Sequence, residues 1–237
     1  MTEVTTIQIN TPTGPIDALL DIPDGHGPWP GVVVIHDLIG YGPDKESTNA
    51  HIARAGYVAL TPNLFARGGR ARCVPTVMRD LLTKRGRSLD DVLAARDHLL
   101  SLPECTGTVG IAGFCMGGQF ALVMSPKGFS ASAPFYGTPL PRNLSETLDG
   151  ACPIVASFGA RDPLGRKAPE NLRRVLDEKG ISNDVKVYPR AGHSFANKLP
   201  AQPLIRITGF GYNQAATDDA WSRVFAFFSE HLTAGRN

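Results

Sequence analysis

The sequence predicts an α/β protein, a mostly parallel central sheet covered by helices on both faces. Three observations carry that expectation. Short β-branched runs such as Gly31–His36 (GVVVIH) lack the apolar–polar alternation of a strand with one wet face, so they read as strands buried on both sides. Helical patterns fall between such runs along the whole chain, the arrangement that gives parallel strands joined by crossover helices. One Gly-X-Cys-X-Gly pattern, Gly113 to Gly117, lies where a buried run meets a helical one.

The elements follow in order. Val4–Asn10 alternates apolar and polar residues, Pro15–Ile22 does so loosely, and TPTG between them is a turn signal, so the two form a hairpin at a sheet edge. After the turn-rich DGHGPWP comes the buried run Gly31–His36. A helix is expected over Asp44–Ala55, with Gly56 ending it, and then the strand Tyr57–Pro62 (YVALTP). The basic, Gly-containing segment Arg67–Arg87 leads into an amphipathic helix (SLDDVLAARDHLLSL) with Ser88 as N-cap and Asp90 and Asp91 in its first turn. There follow the strand Thr108–Phe114, a helix from Cys115, the strands Ser130–Gly137 and Cys152–Gly159, and a helix around Glu170–Lys179. The strand Asp184–Pro189 and a last helix over Ala215–Leu232 complete the series. Neither repeat nor linker interrupts it, so residues 1–237 are expected to form a single domain.

Composition removes several function classes. A hydrophobic fraction of 42% with 19% charged residues is that of a globular chain, and a formal net charge of +2 makes no field that would gather nucleic acid or an anionic membrane. The longest strongly apolar run, Val32–Ile35, is far short of the roughly 18 residues of a membrane-spanning helix. The opening MTEVTTIQINTPTG lacks the basic and apolar regions of a secretion signal. Cys73, Cys105, Cys115 and Cys152 are too scattered for a disulfide framework or a C-x-x-C site. The expectation is a reduced, cytoplasmic protein, a monomer or small homo-oligomer, with no nucleic-acid or membrane partner.

The chemistry centres on Gly113-Phe114-Cys115-Met116-Gly117. A side chain displayed above a sheet at a strand-to-helix turn needs a strained backbone and nearly atomless neighbours, which Gly113 and Gly117 supply. The pattern matches the nucleophile elbow of α/β-hydrolases with cysteine in place of serine, and no Gly-X-Ser-X-Gly competes with it. The helix N-terminus expected there favours a thiolate. Such an elbow calls for an acid and then a histidine on loops after later strands. Asp162 follows the run Cys152–Gly159 and His193 follows Asp184–Pro189, in that order. His193 would exchange the Cys115 proton, and Asp162 would fix the imidazole. The remaining histidines, His26, His51, His98 and His231, read as surface or helix residues. Backbone N–H groups of Met116 and of Leu38, in the loop after the first buried strand, are the candidates for an oxyanion hole.

With these residues in view, the chain resembles the dienelactone hydrolase family of α/β-hydrolases over nearly its whole length. The carrying segments are VVVIHDLIGYG, YVALTPNLFAR, GIAGFCMGGQFAL, FYG, SFGARDP and VYPRAGHSFAN. The resemblance implies Cys115, Asp162 and His193 as the triad and no organic or metal cofactor. It also implies a switch role for Asp37, where the family has a glutamate that meets the resting thiol. Two arginines bind the substrate carboxylate in the family. One position is Asn197 here, and the other falls in the segment holding Arg70, Arg72 and Arg79, of which Arg72 is preferred. The implied activity is hydrolysis of a small carboxylic ester or lactone through an acyl-thiol intermediate. The alternatives are a thioesterase, acyltransferase or amidase with the same triad, or a non-catalytic small-molecule binder. A metal reading of His36, Asp37 and His51 lacks any recognised ligand spacing.

Overall fold

The computed structural model describes residues 4–198 and 210–232. They fall into two compact units, one running to Ile111 and taking in Leu232, the other spanning Ala112–His231. Residues 199–209, between Lys198 and Phe210, lie outside the described residues.

The first unit opens with the antiparallel hairpin β1 (Thr5–Ile9) and β2 (Ile16–Asp21), in register Thr5 with Leu20 through Ile9 with Ile16. Strand β3 (Trp29–Ile35) and β4 (Val58–Pro62) are parallel, and β2 pairs β4 antiparallel, so the order is β1-β2-β4-β3 and then β5 (Cys105–Phe114). Val32 to Ile35 and Val58 to Leu60 are all buried, as expected of strands covered on both faces. Helix α1 (Pro43–Arg54) starts on a proline, whose missing N–H would have had no helical partner there. It stops before Gly56, which adopts φ +90°.

Within the basic segment after β4, for which the sequence assigned no element, Gly69–Thr83 forms helix α2. Two glycines at its start and Pro75 inside it mask the helical signal, but Cys73, Val77 and Leu81 make a buried stripe at helical spacing. Helix α3 (Arg87–Ser101) begins one residue before the expected cap. Ser88 lies inside it, and the buried carboxylate of Asp80 accepts from both the Ser88 N–H (3.1 Å) and its hydroxyl (2.9 Å). Arg67 ties the first hairpin's turn to α3, donating to Asp91 at 2.6 and 3.0 Å, to Thr11 Oγ1 and to the Gly14 carbonyl.

In the second unit the end of β5 leads through Cys115 into α4 (Met116–Met124), which is buried along its whole length. The strands continue from β5 in the order β6 (Ser132–Phe135), β7 (Ile154–Gly159) and β8 (Asn183–Tyr188), with β6–β7 and β7–β8 both parallel. A short helix α5 (Leu144–Thr147), α6 (Ala168–Glu178) and α7 (Gln214–His231) complete it. One core cluster joins Leu122, Ile154, Phe158, Leu172, Leu176 and Val185 from β7, β8, α4 and α6. The apolar stripe of α6 at Leu172, Val175 and Leu176 explains why it packs there. A second group, aromatic, packs Phe135 against Phe114 at 4.9 Å and Trp221 at 5.0 Å, with Phe195 bridging Tyr136 and Tyr188 at 5.2 Å from each. That group underlies the loop after β8.

Candidate active site

Cys115 has φ 55° and ψ −113°, a conformation costly for a residue with a side chain, and it is the N-cap of α4. The strain is held from both sides. The Cys115 N–H donates to the Phe135 carbonyl at 3.1 Å, and its own carbonyl accepts from the Gln119 N–H at 3.1 Å. A Cβ on Gly113 would sit 2.0 Å from the Gly117 carbonyl oxygen, so the turn closes only with glycine at that position. The half-buried thiol is free, as are those of Cys73, Cys105 and Cys152. Burial pushes the Cys152 thiol up to about 12, which keeps it protonated at neutral pH.

Two later loops of the same unit bring an acid and a base together. Asp162 follows β7 and His193 follows β8, both buried, and Nδ1 of His193 lies 2.8 Å from Asp162 Oδ2. The carboxylate is held by two further donors, the Leu164 N–H on Oδ1 at 2.8 Å and the Thr138 hydroxyl on Oδ2 at 3.1 Å. Because a carboxylate only accepts, the His193 proton facing it sits on Nδ1. Nε2 is buried and makes no hydrogen bond among the described residues. Burial alone would lower the imidazole pKa. The bond to Asp162 and the neighbouring Cys115 sulfur outweigh burial and raise it to about 9. The ring is bracketed by Tyr136 and Phe210, each with its centroid 5.1 Å away.

Asn197, expected to face substrate, is buried and accepts a hydrogen bond at Oδ1 from the Tyr136 hydroxyl. Tyr136 itself has φ 38° and is fully buried. The pair joins the loop after β6 to the loop carrying His193. Sequence spacing offered no signal for it, since the partners are 61 positions apart.

In the first unit, the loop after β3 is organised by Asp37. Its Oδ1 accepts from the N–H groups of Ile39 (2.7 Å) and Gly40 (3.2 Å), and its Oδ2 lies 3.6 Å from Nζ of Lys45, which is itself buried. The turn leaves Leu38 39% exposed between two engaged residues. His36 is wholly buried, and burial lowers its pKa to about 4, so the ring is neutral. The Leu64 N–H donates to Nε2 at 3.2 Å, so the ring proton is on Nδ1, which donates to the Asp37 carbonyl at 2.8 Å. With both nitrogens engaged, His36 has no lone pair to offer a metal. Among the described residues no three His, Cys, Asp or Glu side chains converge as a metal site. No helix among them is long and apolar enough to cross a membrane. Arg70 and Arg72 are exposed on α2, and exposed Arg79 is taken up by Asp80 at 2.9 Å.

Residues 16–232 match the model of the dienelactone hydrolase family. The chain belongs to that family. This dienelactone hydrolase relative is a carboxylic ester hydrolase by membership. It is 29% identical over 221 residues to the carboxymethylenebutenolidase of Rhodococcus opacus, a span covering 86% of this chain and 82% of that protein. Among solved structures it matches a dienelactone hydrolase-like promiscuous phosphotriesterase, P91, from metagenomic libraries. That match has a TM-score of 0.81 and 21% identity and covers 98% of this chain and 99% of P91. The fold is therefore that of the α/β-hydrolases, as the strand-and-helix series led one to expect.

Proposed function

We propose that this hydrolase cleaves a small carboxylic ester or lactone by a Cys115–His193–Asp162 triad through an acyl-thiol intermediate, with residues 1–237 acting as one catalytic domain. The observation that carries this reading is the strained Cys115 at the start of α4, together with a buried His193–Asp162 pair whose imidazole keeps its proton near neutral pH. In this reading the thiol proton already rests on His193 Nε2, and the Cys115 sulfur attacks the substrate carbonyl. His193 then returns that proton to the departing alcohol as the C–O bond breaks. Water, deprotonated at Nε2, opens the thioester and restores the thiol.

The oxyanion is assigned to the Met116 N–H, whose place at the first position of α4 leaves it no partner inside the helix, and to the Leu38 N–H. Leu38 enters this proposal from its position after β3. Asp37 acts in the same reading as the anchor of that turn. Arg72 is the proposed contact for an anionic substrate group, and Asn197 acts by holding Tyr136. No cofactor takes part.

The test is turnover of a panel of esters, lactones, thioesters and amides by the wild type and by Cys115→Ala. Esters or lactones should lead the panel, and Cys115→Ala should lose turnover while keeping its fold. Wild-type rates from Cys115→Ala would remove the nucleophile, and preference for thioesters or amides would move the substrate class.

A further inference from the structure

We propose that Thr138 is a positioning residue that sets how tightly His193 holds its proton, acting through Asp162. The inference rests on the triad reading above and goes one step behind it. Thr138 lies three residues past the end of β6, is buried, and is anchored by its N–H on the Tyr136 carbonyl at 2.8 Å. Its hydroxyl has one proton and two acceptors in reach, the Tyr136 carbonyl at 3.4 Å and Asp162 Oδ2 at 3.1 Å. The closer acceptor also carries the charge, so the proton goes to Asp162. Gly165 lies so close to Thr138 that a Cβ there would meet the Thr138 methyl at 2.4 Å.

The choice of oxygen is what matters. Oδ1 of Asp162 takes the Leu164 amide, whereas Oδ2 takes both the Thr138 hydroxyl and His193 Nδ1. A second donor on one oxygen draws charge from the bond to the imidazolium, so it weakens the hold of Asp162 on the ring and lowers the basicity of His193. His193 already stands well above an ordinary histidine, and a still more basic ring would give up its proton to the departing alcohol too slowly. Thr138 restrains it.

The experiment compares Thr138→Val, which keeps the packing and removes the hydroxyl, with Thr138→Ser, which keeps the hydroxyl. The midpoint of His193 protonation is followed by NMR of the ring, alongside kcat across pH. Thr138→Val should raise the midpoint by about half to one pH unit, the scale of one hydrogen bond, and lower kcat several-fold at neutral pH. Thr138→Ser should leave the midpoint within about 0.2 units of the wild type. If Thr138→Val does not fold, Thr138→Ala carries the same comparison. An unmoved midpoint, or equal movement in the serine and valine variants, overturns the proposal. Repeating the titration in Cys115→Ala separates the two readings. Full ester turnover by that protein removes the nucleophile assignment and leaves the Thr138 effect standing.

Discussion

Asp162→Asn is nearly isosteric, and its effects follow from three hydrogen bonds. The side-chain oxygen can still accept the Leu164 amide, but the NH2 group then faces Thr138 and His193 Nδ1. Nδ1 must accept instead of donate, which moves the ring proton to Nε2, the nitrogen needed to take the thiol proton. Activity should fall by about 10³- to 10⁴-fold, the scale for triads held in the wrong tautomer.

The same change should weaken a pH dependence of stability. His193 has a pKa raised from the ordinary 6.5 to about 9, so the folded chain binds this proton more tightly than the unfolded chain. The resulting stabilisation is present in full below about pH 6.5 and is lost as pH rises through about 9, and the gap corresponds to about 3 kcal/mol. In Asp162→Asn, burial and the neighbouring Cys115 sulfur still act on His193 but the carboxylate does not, so the pKa falls from about 9 and less stabilisation is left to lose as pH rises. The assay is urea unfolding of both proteins at intervals from pH 5 to pH 10. Groups common to the two cancel in the difference, which should narrow by up to about 3 kcal/mol between pH 6 and pH 10. Parallel stability curves would refute the assignment of the proton to the His193–Asp162 pair.

His193→Ala should lower ester turnover by about three orders of magnitude or more at neutral pH, and a loss under tenfold would show that another base serves. Cys115→Ser should retain only a small fraction of wild-type turnover in the same ester assay, because a hydroxyl is far harder to ionise than a thiol. Gly113→Ala forces a Cβ to within 2.0 Å of a carbonyl oxygen, and thermal unfolding should register about 3 kcal/mol or more of destabilisation. A loss below about 1 kcal/mol would mean the elbow relaxes more freely than its contacts imply.

Much of the site was legible because its parts are local. The elbow is five consecutive residues with a steric reason for each glycine, and Asp162 and His193 follow strands whose apolar runs are plain. The partners of those residues were not legible. Thr138 bonds Asp162 across 24 positions and Tyr136 bonds Asn197 across 61, and a lone Thr or Tyr after a strand carries no sign of either. Lys45 lies on a helix with little amphipathic contrast, so nothing in the pattern marked it as buried beside Asp37. Helix α2 was hidden for another reason. Its intrinsic propensity is poor at Gly69 and Pro75, and it forms because the Cys73–Val77–Leu81 stripe is buried.

Gly118, two positions into the first turn of α4, and Gly137, after β6, approach so closely that neither could carry even a methyl group. A Cβ on Gly118 would come within 2.6 Å of the Phe135 carbonyl and 2.9 Å of the Gly137 Cα, and one on Gly137 within 2.7 Å of the Gly118 backbone. Two main chains thus touch without any side chain as a spacer, where the helix that Cys115 caps meets the loop leading to Thr138. Efforts to reshape this enzyme for bulkier esters will find that seam closed to mutation, and new room must come from residues that do not border it.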